Sequence, residues 1–296
     1  MKIVHLAVGL LIVVSGSAFA QAPGVPVIRE TRGAPPELIE AATKLRDDGK
    51  LISMATAQQQ LGRASCPLTL PAPGTRDLSG GEIWQRARAA HIRVGYLYLC
   101  TKCDKQHLNL AGGYAITADG AVATCFHVIE PKDMKEGHLV AATESGTLMP
   151  VSEILAGNRA NDVAIVRVQS EKPLVPLPLN SNVRPGEEAW CYSDPFGRSS
   201  YFSKGIINRF FERTMTGGTT TVRMNVSTDW APGSSGSAVV DSCGNVIGHV
   251  SEISAQGSRP TASSPAPGAN PTNQTYIIFH DAVRAADVLR LVKTTP

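Results

Sequence analysis

With 296 residues and 43% hydrophobic side chains, the chain can bury one large core or two small ones. Its formal net charge of +3 comes without a run of basic residues, which argues against a phosphate-tracking surface and against nucleic acid as a partner.

The chain opens with Lys2, an apolar run from Ile3 to Val14 and small residues ending Ala18-Phe19-Ala20, the three regions of an export signal. Cleavage is expected after Ala20. An uncleaved anchor is the alternative, but the run is shorter than the ~20 residues a membrane span needs. A secreted or periplasmic protein is expected, with no membrane association once the signal is removed. Six cysteines in an oxidising compartment favour disulfides.

Gln21 to Pro36 is rich in Pro and Gly and reads as a linker. Glu37 to Leu61 places apolar residues at helical spacing, interrupted at Asp47-Asp48-Gly49, which predicts two short helices. A second Pro/Gly-bearing stretch, Cys66 to Gly81, is expected to separate this extension from the rest. Ser79 with Glu82 three residues on predicts a capped helix start. The expected organisation is residues 1–20 signal, 21–78 linker and helical extension, and 79–296 one domain.

Beyond that helix, short apolar segments recur: Ile92–Leu99, Tyr114–Thr117, Val122–Cys125, Val163–Val168, Ala189–Tyr192, Ile206–Phe211, Thr219–Val226, Ser237–Val240, Val246–Ser251 and Tyr276–Phe279. Turn signals between them, Asp119-Gly120, Gly217-Gly218 and Gly244-Asn245, predict an all-β, antiparallel fold of barrels or sandwiches. Ser254 to Asn273 reads as a long surface loop, and Asp281 to Val292 as a closing helix.

The segment Ala231 to Val240 surrounds Ser235 with small residues just before an apolar strand. A serine hydroxyl needs a base to take its proton, and the oxyanion it creates needs preorganised N–H donors; Gly233 permits the tight turn that aims them. On this stretch alone, a Gly/Ser turn between strands reads equally well. His127 follows a strand, whereas His107, His138 and His249 have no comparable setting. Asp162 directly precedes an apolar strand, where an acid could also merely cap the strand's entry. His, Asp and Ser each stand at the edge of a strand, in the chain order of one known type of hydrolytic triad.

From about Ser79 to Lys293 the chain resembles trypsin-like serine proteases, and within them the bacterial HtrA/Deg type. The resemblance rests on Gly112-Gly-Tyr-Ala-Ile-Thr-Ala-Asp-Gly120, Thr124-Cys-Phe-His-Val128, Asn161-Asp-Val-Ala-Ile-Val166, Asp194-Pro-Phe-Gly197 with Ser203-Lys-Gly-Ile206, and Pro232-Gly-Ser-Ser-Gly-Ser237. It departs at Ser237, where glycine is usual, and at Ser234. The resemblance implies two six-stranded barrels with a cleft between them and a C-terminal helix. It implies a serine endopeptidase with His127 as base, Asp162 as its orienting acid and Ser235 as nucleophile, and the N–H groups of Gly233 and Ser235 as oxyanion hole. Ser251 would lie on the strand that pairs with substrate. Asp229 would occupy the bottom of the specificity pocket and Ile253 its mouth; together these favour small aliphatic residues before the cut. A Cys191–Cys243 disulfide is also implied. The substrate would be a polypeptide, no metal or cofactor is required, and gating by a PDZ domain is not expected.

Cys100-Thr-Lys-Cys103 with His107 suggests either a zinc corner or a disulfide; the incomplete ligand set favours a disulfide, within the pair or to Cys125 or Cys66. Two other readings compete with proteolysis. One is a catalytically silent protease fold that serves as a binding module. The other is an esterase, disfavoured because an α/β-hydrolase would place its nucleophile first.

Overall fold

The computed structural model describes residue 28 and residues 33–130, 134–215, 217–257 and 275–294. The signal expected over residues 1–20, most of the Gln21–Pro36 linker and residues 258–274 lie outside these. The extension folds as two helices, α1 (Pro36–Asp47) and α2 (Met54–Gln60), the second capped by Ser53, whose hydroxyl accepts the Thr56 N–H at 3.1 Å. After β1 (Cys66–Leu68) comes α3 (Gly80–Ala90), which starts on the expected reciprocal cap between Ser79 and Glu82.

Seven antiparallel strands follow: β2 (Arg93–Cys100), β3 (Gln106–Ala111), β4 (Tyr114–Ala115), β5 (Ala121–Thr124), β6 (Met134–Ala142), β7 (Leu148–Asn158) and β8 (Val163–Val168). They lie in the order β3-β2-β6-β7-β8-β5-β4. Strand β3 runs on into β4 across Gly112-Gly113, and the Ile92 N–H donates to the Gly113 carbonyl at 3.0 Å, so the two edges of the sheet meet. With β3 and β4 taken as one bent strand, this is the first six-stranded barrel. The second is closed by β9 (Glu188–Ser193), β10 (Tyr201–Thr214), β11 (Thr220–Val226), β12 (Ala238–Val240), β13 (Val246–Gly257) and β14 (Thr275–Arg284).

Each barrel has its own core: Val94, Leu139, Ile154 and Val166 in the first, and Ala189, Ile207, Met224 and Val250 in the second. A third cluster, including Tyr114, Ile165, Val240, Val246 and Val283, fills the space between them. Strand β5 explains the apolar runs in the sequence. Val122 points into its own barrel while Ala121 and Ala123 face the shared layer, so both faces are buried.

Three expectations change. The closing helix shrinks to α4 (Ala285–Leu289), followed by β15 (Val292–Thr294), because Ala282 and Val283 face opposite cores with strand periodicity and complete β14. Residues 254–257, expected to begin a loop, continue β13 in register with β14. The stretch from Cys66 to Gly81 does not separate two parts: β1 pairs in parallel with β15, and Asn245 clamps Gly74 through its side-chain amide.

Candidate active site

His127 lies on a single 3₁₀ turn, Phe126–Val128, directly after β5. Its Nδ1 is 3.0 Å from both carboxylate oxygens of Asp162, and its backbone N–H donates to Asp162 Oδ1, also at 3.0 Å. On the other side of the ring, Nε2 lies 2.9 Å from Ser235 Oγ. Asp162 Oδ2 accepts the Ser251 hydroxyl at 2.7 Å. Burial by itself would raise the Asp162 pKa, but the bonds from His127 and Ser251 more than reverse this and hold it at about 2. The carboxylate is therefore charged at any pH where His127 could act as a base.

Asp162 sits at φ 58°, in the left-handed region, just before β8. This strained residue is braced from the second barrel. Arg223 on β11 donates to the carbonyls of Asn161 (2.9 Å) and Ala160 (3.3 Å), and His249 Nε2 lies 3.2 Å from the Asp162 carbonyl. A carbonyl only accepts, so His249 carries its proton on Nε2, and Nδ1 accepts from the Tyr114 hydroxyl at 3.4 Å. Burial drives the His249 pKa down to about 4. The buried Cys125 thiol donates to the Val250 carbonyl at 3.0 Å; burial and the nearby Asp162 carboxylate push its pKa far up.

Ser235 stands on a turn made by backbone geometry, with Gly233 at φ +102° and Gly236 at φ +83°. The Ser234 N–H donates to Ala231 O (3.0 Å), Gly236 N–H to Val250 O (2.8 Å) and Ser237 N–H to Ser234 O (3.0 Å). Among the described residues, the N–H groups of Gly233 and Ser235 have no acceptor. A free pair of donors beside the serine hydroxyl is the arrangement an oxyanion needs.

Asp194, which opens the Asp194-Pro-Phe-Gly197 motif, has contacts that the sequence did not reveal. Asp194 accepts from Arg93 Nε (2.6 Å) and the Ser200 N–H (3.1 Å), and lies 3.2 Å from His91 Nε2. Burial would raise its pKa, but His91 and Arg93 hold it well below the usual carboxylate range. This fixes the Pro195–Gly197 turn, where the Phe196 N–H donates to Pro232 O at 2.7 Å and so supports the turn before Ser235.

Asp229 is exposed and is held by its backbone, with Ser203 Oγ bonded to both its N–H (3.1 Å) and its carbonyl (3.0 Å), so it is not a buried acid at the base of a pocket. The inward residue is its neighbour Trp230, buried against His280 with Nε1 donating to Glu252 O at 3.0 Å. Counting back from Ser235 gave the inward position to Asp229, whereas the side chain that turns in is that of Trp230. Ile253 is half-buried against the second barrel's core, and Ser251 turns its hydroxyl onto Asp162.

The expected Cys191–Cys243 disulfide is absent, and both residues are thiols. Cys191 faces the barrel core, where burial raises its pKa to about 12, whereas Cys243 lies past the end of β12 with its sulfur toward Asp77. One sulfur points inward and the other to the surface. Cys66 and Cys125 are also buried thiols, directed at the carbonyls of Leu291 and Val250, so neither bridges to Cys100 or Cys103.

Residues 111–248 match the family model of the trypsin-like peptidase domain. Over this stretch the chain is similar to trypsin-like peptidase domains. It is similar to "Putative serine protease HhoB" of Synechocystis sp., 28% identical over 149 residues, which is 49% of this chain and 35% of that protein. It is also similar to "Probable periplasmic serine endoprotease DegP-like" of Halomonas elongata, 25% identical over 51% of this chain and 31% of that one. The "Serine protease HTRA2, mitochondrial" of Bos taurus is 27% identical over 48% of this chain and 31% of its own length. The matched region spans about a third of each of these relatives. Among the described residues, no helix is long and apolar enough to cross a membrane.

Proposed function

We propose that the chain is an exported serine endopeptidase that cuts polypeptides through an acyl-enzyme. The observation that carries this reading is the unbroken line from Asp162 through both His127 nitrogens to Ser235 Oγ, next to two N–H groups without acceptors. His127 Nε2 takes the proton of Ser235 as the hydroxyl attacks a peptide carbonyl, and Asp162 holds Nδ1–H and stabilises the imidazolium. The oxyanion is received by the N–H groups of Gly233 and Ser235. His127 then returns the proton to the leaving amine, and water repeats the sequence on the ester.

Small aliphatic residues before the cut remain the preferred specificity. The exposed Asp229 offers a long basic side chain no buried charge, and Trp230, beside it, is the side chain that turns inward. No step needs a metal or cofactor. Export rests on the sequence of residues 1–20.

A fluorophosphonate probe tests the reading. It should label the parent protein and not Ser235→Ala, and Ser235→Ala should lose at least about 10³-fold in casein cleavage with its fold unchanged. A parent protein that takes no label and cleaves nothing would instead be a silent binding module.

A further inference from the structure

At the tip of the β2–β3 hairpin, on the outside of the first barrel, Cys100, Cys103 and His107 bring one donor atom each to within 4.8 Å of one another. Cys103 Sγ is 3.0 Å from His107 Nε2. The Lys102 N–H points at Cys100 Sγ at 3.4 Å, the kind of donor that steadies a thiolate ligand. The His107 ring is stacked on Tyr98, with centroids 5.4 Å apart and planes inclined by 29°, which holds Nε2 toward the two sulfurs. The turn is short and closed: the Cys100 N–H donates to Lys105 O at 3.1 Å, and Leu99 pairs with Gln106.

We propose that Cys100, Cys103 and His107 bind one Zn²⁺ ion, with solvent as the fourth ligand. The site is separate from the peptidase cleft, and its three donors are exposed or half-exposed. Around a tetrahedral zinc with bonds of about 2.3 Å to sulfur and about 2.0 Å to nitrogen, ligand atoms lie about 3.5–3.8 Å apart. The observed spacing reaches this with shifts of about 1 Å in an exposed hairpin tip. A disulfide between the two cysteines would use two of the converging donors and leave the third, an oriented imidazole, facing nothing. Two thiolates with a neutral imidazole suit a soft-to-borderline cation and are a poor match for Mg²⁺ or Ca²⁺. The two thiolate charges cancel the charge of the ion, so a neutral site results at the barrel surface. Bound there, the ion ties the hairpin tip to the end of the ladder where Cys100 pairs with Met134 of β6.

The test is a Co²⁺ titration of the reduced full-length protein carrying Ser235→Ala, followed by Zn²⁺ competition. One equivalent of Co²⁺ should give thiolate-to-cobalt charge-transfer absorption, and one equivalent of Zn²⁺ should abolish it. Cys103→Ser and His107→Ala, each with unchanged far-UV circular dichroism, should weaken Co²⁺ binding at least 100-fold, while Cys125→Ser in the cleft should leave it intact. Should Cys103→Ser fail to fold, Zn²⁺ should still raise the melting temperature of the parent and not that of His107→Ala. The proposal is overturned if no thiolate band appears, if the band survives in His107→Ala, or if protein alkylated at harvest from its export compartment contains a Cys100–Cys103 disulfide.

Discussion

The two barrels deliver their parts of the candidate active site in different ways. The first supplies His127 and Asp162 as a pair joined by bonds from both the imidazole and the His127 backbone. Ser251, His249 and Arg223 then brace that pair from the second barrel. The second barrel supplies Ser235 on a turn fixed mainly by backbone conformation; among the described residues, besides the bond of Ser235 to His127, its side-chain support is the bond from Ser234 to Ser193 at 3.1 Å. A site built by many side-chain contacts should lose function in graded steps as they are removed. One built by backbone conformation should fail abruptly when the backbone is forced to change.

The largest effect is therefore expected at Gly236. Its φ of +83° disfavours any other residue, and a Cβ there would collide with Thr124 Oγ1 and the Gly112 carbonyl where the two barrels cross. Gly236→Ala should destabilise the protein by about 4 kcal/mol and abolish fluorophosphonate labelling. Denaturant unfolding measures the first; a variant that labels at the parental rate would show that the turn tolerates movement.

Next is the pH response of the brace. His249 is fully buried and neutral, and its pKa is lowered from 6.5 to about 4. The unfolded chain takes up a proton below pH 6.5 that the folded one refuses. Stability from this group is therefore complete above pH 6.5 and falls away toward pH 4, by about 3 kcal/mol in all. His138 and His280, less buried, push the same way. Asp162 has the opposite protonation chemistry and adds its own loss only below 3.8, toward about 2. Denaturation of His249→Gln at pH 7, 5.5 and 4.5 should show a flatter pH dependence than the parent, and parallel slopes would place the acid sensitivity elsewhere.

A smaller, graded effect is expected at Arg223. Its guanidinium holds the Ala160 and Asn161 carbonyls beside the strained Asp162, while its own Nε has no partner among the described residues and burial lowers its pKa. Arg223→Met should cut kcat about 10–100-fold by letting Asp162 drift, with KM little changed. Stability should move by no more than about 1 kcal/mol, since an apolar side chain escapes the cost of burying a charge. A change confined to KM would place Arg223 in substrate binding instead.

The contrast between the barrels also accounts for what the sequence revealed. Ser235, His127 and Asp162 were legible because each stands next to an apolar strand, and strand positions follow from alternation that any buried barrel must keep. Strands β3, β6 and β7 were not, because His107, Asn109, Glu136, His138 and Glu153 interrupt the apolar pattern on the half-exposed side of the first barrel. The bracing roles of Arg223, His249 and Asp194 escaped for another reason. Each acts across a gap of dozens of residues, and nothing local marks a buried charged or imidazole side chain as a brace. Asp229 shows the converse error, in which counting along the chain gave an inward position to an acid that is exposed, while the neighbouring Trp230 turns in.

The smallest effect is expected two residues beyond Ser235, where the resemblance to trypsin-like proteases leads to the expectation of glycine and this chain has Ser237. Its N–H and carbonyl are both used, donating to Ser234 O at 3.0 Å and accepting from the Val250 N–H at 2.9 Å. The hydroxyl is buried and, among the described residues, has no partner. It packs against Gly112, where any side chain would collide with it. The backbone bonds thus hold the turn while the hydroxyl is desolvated without return, a situation that costs about 1–3 kcal/mol. Ser237→Ala keeps the Cβ and removes only the oxygen, so it should raise stability by about 1 kcal/mol with the labelling rate of Ser235 unchanged. A loss of stability in that variant would mean that the hydroxyl has a bonded partner, such as a buried water, and that the second barrel relies on side-chain bonding at this turn more than the contrast with the first allows.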